Sequence, residues 1–138
     1  MHIKHPDPRI ILIAEKDHNV RDLQVFFLEK SGFIIEFADD GEVALARAKS
    51  ILPRLVITEI LLAKIDGLTL CRRLRADEAT RDTPLLVFSI LSAAARATEA
   101  GADAFLRKPL VASTFVAVVH KLIAARPPTI MEPQWASQ

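Results

Sequence analysis

Cysteine occurs once, at Cys71, so no internal disulfide framework can form. The four histidines, His2, His5, His18 and His120, are scattered rather than set at metal-ligand spacing. A lone thiol sets the expectation of a reducing, cytoplasmic location. Long hydrophobic runs are missing as well. The longest stretch without a charge, 83–95, is too short to span a bilayer, and the opening MHIKHPDPR has no apolar segment behind its charges. Neither secretion nor membrane insertion is expected. Neither sign of charge dominates: 18 basic and 17 acidic side chains leave a formal +1, without the basic stripe of a nucleic-acid module. Residues 15–21 contain no glycine and begin with an acid, which argues against a backbone phosphate cradle and a nucleotide or flavin site.

What remains is 138 residues, 51% apolar and 25% charged, enough for one globular domain with a full core. Short apolar runs rich in β-branched residues recur at 10–14, 33–38, 55–58, 85–88 and 104–106, each predicting a strand. Four lack alternation, as strands covered on both faces do, whereas Glu36 interrupts the second and predicts an edge position. Helical patterns separate the runs. In the first helix Val20, Leu23, Phe27 and Leu28 share a predicted inward face, and Asp39 followed by Glu42 reads as a capping box for the second. The third is predicted over 67–75, a short Ala-rich fourth ends at Gly101, and a fifth over about 113–125 turns Phe115, Val118, Val119 and Leu122 inward. Five βα units imply an α/β fold with a doubly wound parallel sheet. Residues 1–8 read as an N-terminal extension, 9–125 as the domain, and 126–138 as a proline-containing tail or linker. No helix-turn-helix is left over to bind DNA.

In such a sheet the ligand site lies beyond the carboxyl ends of the strands. Those ends carry Glu15-Lys16-Asp17, Thr58-Glu59, Ser89-Ile90 and Arg107-Lys108-Pro109. Acids, a hydroxyl and a lysine are thereby sent to one edge.

The segments ILIAEKDHNVRDL, FADDGEVAL, PRLVITEILLAKIDGLTLCRRLR and GADAFLRKPL, in this order and spacing over about nine-tenths of the chain, resemble the receiver domain of two-component response regulators. The resemblance implies a flavodoxin-like (βα)5 fold with strand order 2-1-3-4-5, and a site that takes a phosphoryl group from a histidine kinase. Carried over by position, Glu59 stands at the phosphoacceptor, and Glu15 and Lys16 at the acidic pair that holds Mg²⁺. Ser89 and Phe105 stand at the hydroxyl and aromatic switch positions, Lys108 at the lysine before a cis Pro109, and Leu61 where a backbone carbonyl would meet the metal.

Two departures strike the reaction itself. The family has aspartate where this chain has Glu59, whose carboxylate reaches one C–C bond, about 1.5 Å, too far, and misplacement of about 1 Å can cost a hundredfold in rate. Lys16 replaces a carboxylate with a cation, so Glu15 and Glu59 face Lys16 and Lys108 and little electrostatic reason remains to bind a divalent ion. A salt bridge between Lys16 and Glu59 is expected, with a slip of Asp17 into the pocket as the escape route. Ile90, where a small residue is usual, is expected to block access, and Ala63 replaces the usual proline. The interval from Ser89 to Lys108 is about three residues short, so the fourth helix is expected to be shortened or displaced.

The expectation is therefore not an enzyme but a phosphorylation-independent receiver with no catalytic residues and no cofactor, Mg²⁺ binding weakly if at all. Such a domain would act as a protein-interaction module for a partner, or for a second copy, through the face formed by its fourth helix, fifth strand and fifth helix, with a histidine kinase or a separate effector chain as candidates. Two alternatives are an active-state mimic through Glu59 and an Mg²⁺-dependent phosphoacceptor using Glu59 or Asp17. His18 reads as an exposed loop residue, Cys71 as a small packing residue, and Arg72, Arg73 and Arg75 as a solvated helix end.

Overall fold

The computed structural model describes residues 7–125; the tail, with Ile130, Met131 and Trp135, lies outside the described residues. Five strands, β1 (Ile10–Ala14), β2 (Ile34–Ala38), β3 (Leu55–Thr58), β4 (Leu85–Ser89) and β5 (Ala104–Arg107), alternate with five helices. These are α1 (His18–Glu29), α2 (Gly41–Ile51), α3 (Gly67–Ala76), α4 (Ala94–Glu99) and α5 (Ala112–Ala125). All pairings are parallel and the order is β2-β1-β3-β4-β5, so β2 is at an edge and the topology reverses between β1 and β3.

Period-two alternation divides the core into two layers. On one face Leu12, Ala14, Val56, Leu85 and Val87 pack with Ala44 and Ala48 of α2, Cys71 and Leu74 of α3, and Ala97 of α4. On the other, Ile11, Ile13, Leu55, Ile57, Leu86 and Phe88 meet Leu28 of α1 and Phe115 and Val119 of α5. Burial pushes the Cys71 thiol up to about 12, so it packs as an apolar group. Among the described residues no helix is long and apolar enough to cross a membrane.

Aspartate starts each of the first three helices. Asp17 accepts from the N–H groups of Asn19 and Val20, Asp40 from Val43 and Asp66 from Thr69, giving partners to amides that have none in the first turn. The capping box expected from Asp39 is thus shifted by one residue. Asp40 is the cap, and Asp39 instead pairs with Arg21. The inward face expected of α1 also needs correction: Leu23 is 49% exposed, and the buried residues are Arg21, Gln24 and Leu28. Arg21 is drawn inward because its guanidinium donates to the backbone carbonyls of Glu15 and Ala38 and lies over the Phe37 ring. Arg75, expected to be solvated, instead donates to the carbonyls of Gly101 and Thr83 and pairs with Asp103 at 2.8 Å, tying α3 to the chain entering β4 and β5.

Helix α3 starts against the end of β3. The Gly67 N–H donates to the Ile60 carbonyl at 2.8 Å, and a Cβ on Gly67 would lie 2.1 Å from the Glu59 carbonyl oxygen. Glycine is needed there because the obstacle is backbone. Gly67→Ala is therefore expected to cost about 1–3 kcal/mol as an overpacking change, read as a lower midpoint in urea at an unchanged slope.

Candidate functional site

Hydrogen bonds that continue the ladder bring the strand ends level. Glu15 N–H donates to the Ala38 carbonyl at 3.2 Å, Glu59 N–H to Ala14 at 3.0 Å, and Lys108 N–H to Ser89 at 2.8 Å. The side chains of Glu15, Glu59, Ser89 and Lys108, sent to this edge by four different strands, meet in one buried cluster. Glu15 is 2% exposed, Glu59 4% and Ser89 0%. The Lys108–Pro109 peptide bond is cis.

Lys108 is the hub. Its Nζ lies 2.7 Å from Glu15 Oε1 and 2.9 Å from Glu59 Oε2. The Glu59 carboxylate collects further donors: Ser89 Oγ and the N–H groups of Ile60 (2.6 Å) and Leu61 (3.3 Å) on Oε1, and the Ile90 N–H (3.3 Å) on Oε2. The second oxygen of Glu15 accepts from the Asp17 N–H at 3.2 Å. Burial alone pushes the Glu59 carboxyl up, but the bonds from Ser89, Lys108 and Ile60 outweigh it and hold it below the ordinary glutamate value. Burial likewise pushes Lys108 down, and its bonds to Glu15 and Glu59 reverse that, so it stays charged above the ordinary lysine value.

The cation on Glu59 is therefore Lys108, not Lys16. Glu15 is buried in the pocket, whereas its neighbour Lys16, in the loop after β1, is exposed. Two carboxylates thus face one ammonium, a formal −1 instead of the zero expected when Lys16 was included. Asp17 does not slip inward, because its carboxylate caps α1. Leu61 meets Glu59 through its N–H and is 45% exposed. Ile90 is 53% exposed, its backbone N–H on Glu59. Phe105 is half-buried, opposite Val87 in the ladder, and packs against the α3 and α4 layer. Helix α4 has six residues and no side-chain cap. His18 is exposed at the start of α1.

The sequence reading missed the backbone donors. Ile60, Leu61 and Ile90 carry them irrespective of side-chain identity, and only the length of Glu59, bending back over its own strand end, could have pointed to them.

Mg²⁺, the ion implied by the resemblance, needs hard oxygens with free lone pairs in octahedral array. Both carboxylates here are engaged by an ammonium and N–H groups, and the third acidic position is an exposed lysine. The residues present do not fit the ion. Among the described residues no group of three histidine, cysteine, aspartate or glutamate side chains is placed to hold a metal.

Acid should weaken this cluster. With Glu59 depressed, its contribution is present above the ordinary glutamate value of 4.5 and is lost as pH falls through the lower folded value. A midpoint in urea that falls on acidification below pH 4.5, with a smaller fall in Glu59→Gln, is the expected result. Lys108→Met leaves two buried carboxylates facing each other and should cost about 3–5 kcal/mol at pH 7.

Comparison with known proteins gives the cluster its context. Residues 11–120 match the family model of the response regulator receiver domain. The chain is 35% identical over 119 residues to the DNA-binding dual master transcriptional regulator RpaA of Synechocystis, covering 84% of this chain and 49% of that protein. It is 32% identical over 124 residues to response regulator MprA of Mycolicibacterium vanbaalenii, covering 88% and 53%. It spans about half the length of these curated relatives. Among solved structures, the signal receiver domain of a signal transduction histidine kinase from Syntrophus aciditrophicus superposes with a TM-score of 0.79 at 29% identity, over 89% of this chain and 97% of that one. With this match over most of its length and the sheet order β2-β1-β3-β4-β5, the chain belongs to the receiver domain family of two-component response regulators.

Proposed function

We propose that this receiver works without phosphorylation, as a protein-interaction module of a two-component pathway. The observation that carries the reading is that both oxygens of Glu59 already hold donors: Ser89, Ile60 and Leu61 on one, Lys108 and Ile90 on the other. In-line attack on a phosphoryl group needs a carboxylate lone pair aimed at phosphorus and a cation bridging nucleophile and phosphate. Glu59 would have to leave these partners first, and Lys108, the one cation on it, would be shared with Glu15. The pocket serves instead as a fixed link between β3, β4 and β5. Its partner is a histidine kinase, a separate effector chain or a second copy, meeting the α4-β5-α5 side of the domain.

A second reading concerns the state in which the link is fixed. Ser89 Oγ and the Ile90 N–H both donate to Glu59, so the extra methylene lets the carboxylate gather groups that a phosphoryl group on a shorter side chain would reach. Glu59 is then a permanent stand-in for a phosphorylated residue, and the partner surface is constitutively formed.

Intact mass after incubation with a small-molecule acyl phosphate and Mg²⁺ tests the main reading. No added phosphoryl mass is expected, and no Mg²⁺-dependent amide shifts at Glu15 or Glu59, whereas Glu59→Asp/Lys16→Asp should regain one or both. A phosphoryl adduct on the unaltered protein would overturn the proposal.

A further inference from the structure

The β2 edge of the sheet carries a self-complementary pattern. In its ladder with β1 the Ile34 N–H donates to the Arg9 carbonyl at 2.9 Å, and the Ala38 carbonyl accepts from the Glu15 N–H at 3.2 Å. Backbone groups alternate in direction along a strand, so Ile34, Glu36 and Ala38 turn theirs toward β1, whereas Ile35 and Phe37 turn theirs outward. Among the described residues nothing pairs with these two N–H and two carbonyl groups, because β1 is the only strand beside β2. The two residues that carry them lie symmetrically about Glu36.

Side chains on the same edge follow that symmetry. Ile34, Glu36 and Ala38 share the face covered by α2, since the ladder partners Leu12 and Ala14 pack in that layer. Glu36 pairs there with Arg47 of α2 at 2.8 Å. Arg47 Nε has no partner among the described residues, so the guanidinium keeps donors for a second carboxylate. Val43 lies one turn before Arg47 on the same stripe of α2, near the end of β2, whereas Ile34 opens the strand. Ile34 is 39% exposed and Val43 42%, so an apolar side chain is left uncovered at each end of the edge.

We propose that this edge joins a second copy of the chain, by antiparallel pairing of β2 with β2 about a two-fold axis through Glu36. In that register Ile35 of each copy exchanges both backbone bonds with Phe37 of the other, and every outward group finds a partner. Shifting the pairing by two residues sets Ile35 or Phe37 opposite itself and leaves the other facing a residue outside β2. The two-fold brings Ile34 beside Ala38 and the Val43 end of α2 in the second copy, and Ile35 opposite Phe37 makes a β-branched–aromatic pair. Glu36 meets Glu36, a repulsion that Arg47 of each copy offsets, since two carboxylates and two guanidiniums alternate at the axis. The contact is isologous and gives an otherwise open edge a partner. It lies at the end of the sheet opposite β5, so it leaves the α4-β5-α5 side free and does not rest on the reading of Glu59.

The edge is short, so association is weak, and sedimentation of the full chain from about 10 µM to about 1 mM should show the mass rising toward that of a dimer. At the upper concentration hydrogen exchange should slow about tenfold at Ile35 and Phe37 and change little at Ile34, Glu36 and Ala38, whose amides are already bonded to β1. Ile34→Lys, Glu36→Arg and Arg47→Glu should each raise the dissociation constant about tenfold without lowering the thermal midpoint. A mixture of Glu36→Arg and Arg47→Glu chains should regain association, because four like charges at the axis become two of each sign. A chain that stays monomeric throughout, no recovery in the mixture, equal slowing at every β2 amide, or slowing at Arg107 and Val111 instead would overturn the proposal. So would an extended peptide that protects Ile35 and Phe37 in a chain that stays monomeric, since the edge would then take a foreign strand.

Discussion

A single ammonium between two buried carboxylates sets the architecture of the functional edge. Lys108 enters on the residue after β5, Glu15 on the residue after β1 and Glu59 on the residue after β3, so one side chain joins three strands that are not all neighbours in the sheet. Buried charges are tolerated only when paired and hydrogen-bonded. The cluster meets that condition by recruiting Ser89 and four backbone N–H groups, from Asp17, Ile60, Leu61 and Ile90. The loops after β1, β3 and β4 are therefore held by the same charges, and a change in one carboxylate is felt in all of them.

The length of Glu59 decides which groups its carboxylate reaches. A shorter carboxylate stops short of Ser89 and needs something between them; Glu59 closes the gap itself. Once closed, the donors that would stabilise an incoming anion are spent on the chain's own carboxylate. The bonds from Ser89, Lys108 and Ile60 hold the Glu59 carboxyl below its ordinary value, and the N–H groups of Leu61 and Ile90 add two further donors to it.

Most of the fold was legible because apolar runs repeat five times and four of them end in polar residues. The 10–14 and 55–58 strands match β1 and β3 residue for residue, and Glu36 marked the edge strand correctly. The errors occur where a polar side chain does an apolar position's work. Arg21 and Gln24 occupy the buried stripe of α1, which hydrophobic periodicity cannot see, and Leu23 was counted inward only because it is apolar. Arg75 reads as solvent-facing for the same reason.

The site was legible in its members but not in its pairing. Charge counting treats Lys16 and Lys108 as equivalent cations, yet the chain places them differently: Lys108 lies between the two carboxylates, whereas Lys16, in the loop after β1, is exposed. Helix capping closes the remaining freedom, since Asp17 cannot both cap α1 and enter the pocket. The balance that results is one positive charge for two negative, with the deficit made up by backbone dipoles and a hydroxyl. Such groups cannot move away as a counter-ion can. These contacts tie the ends of β3, β4 and β5 together, and the hydrogen bonds continue from Glu59 through the Ile90 backbone to Arg107 at the surface.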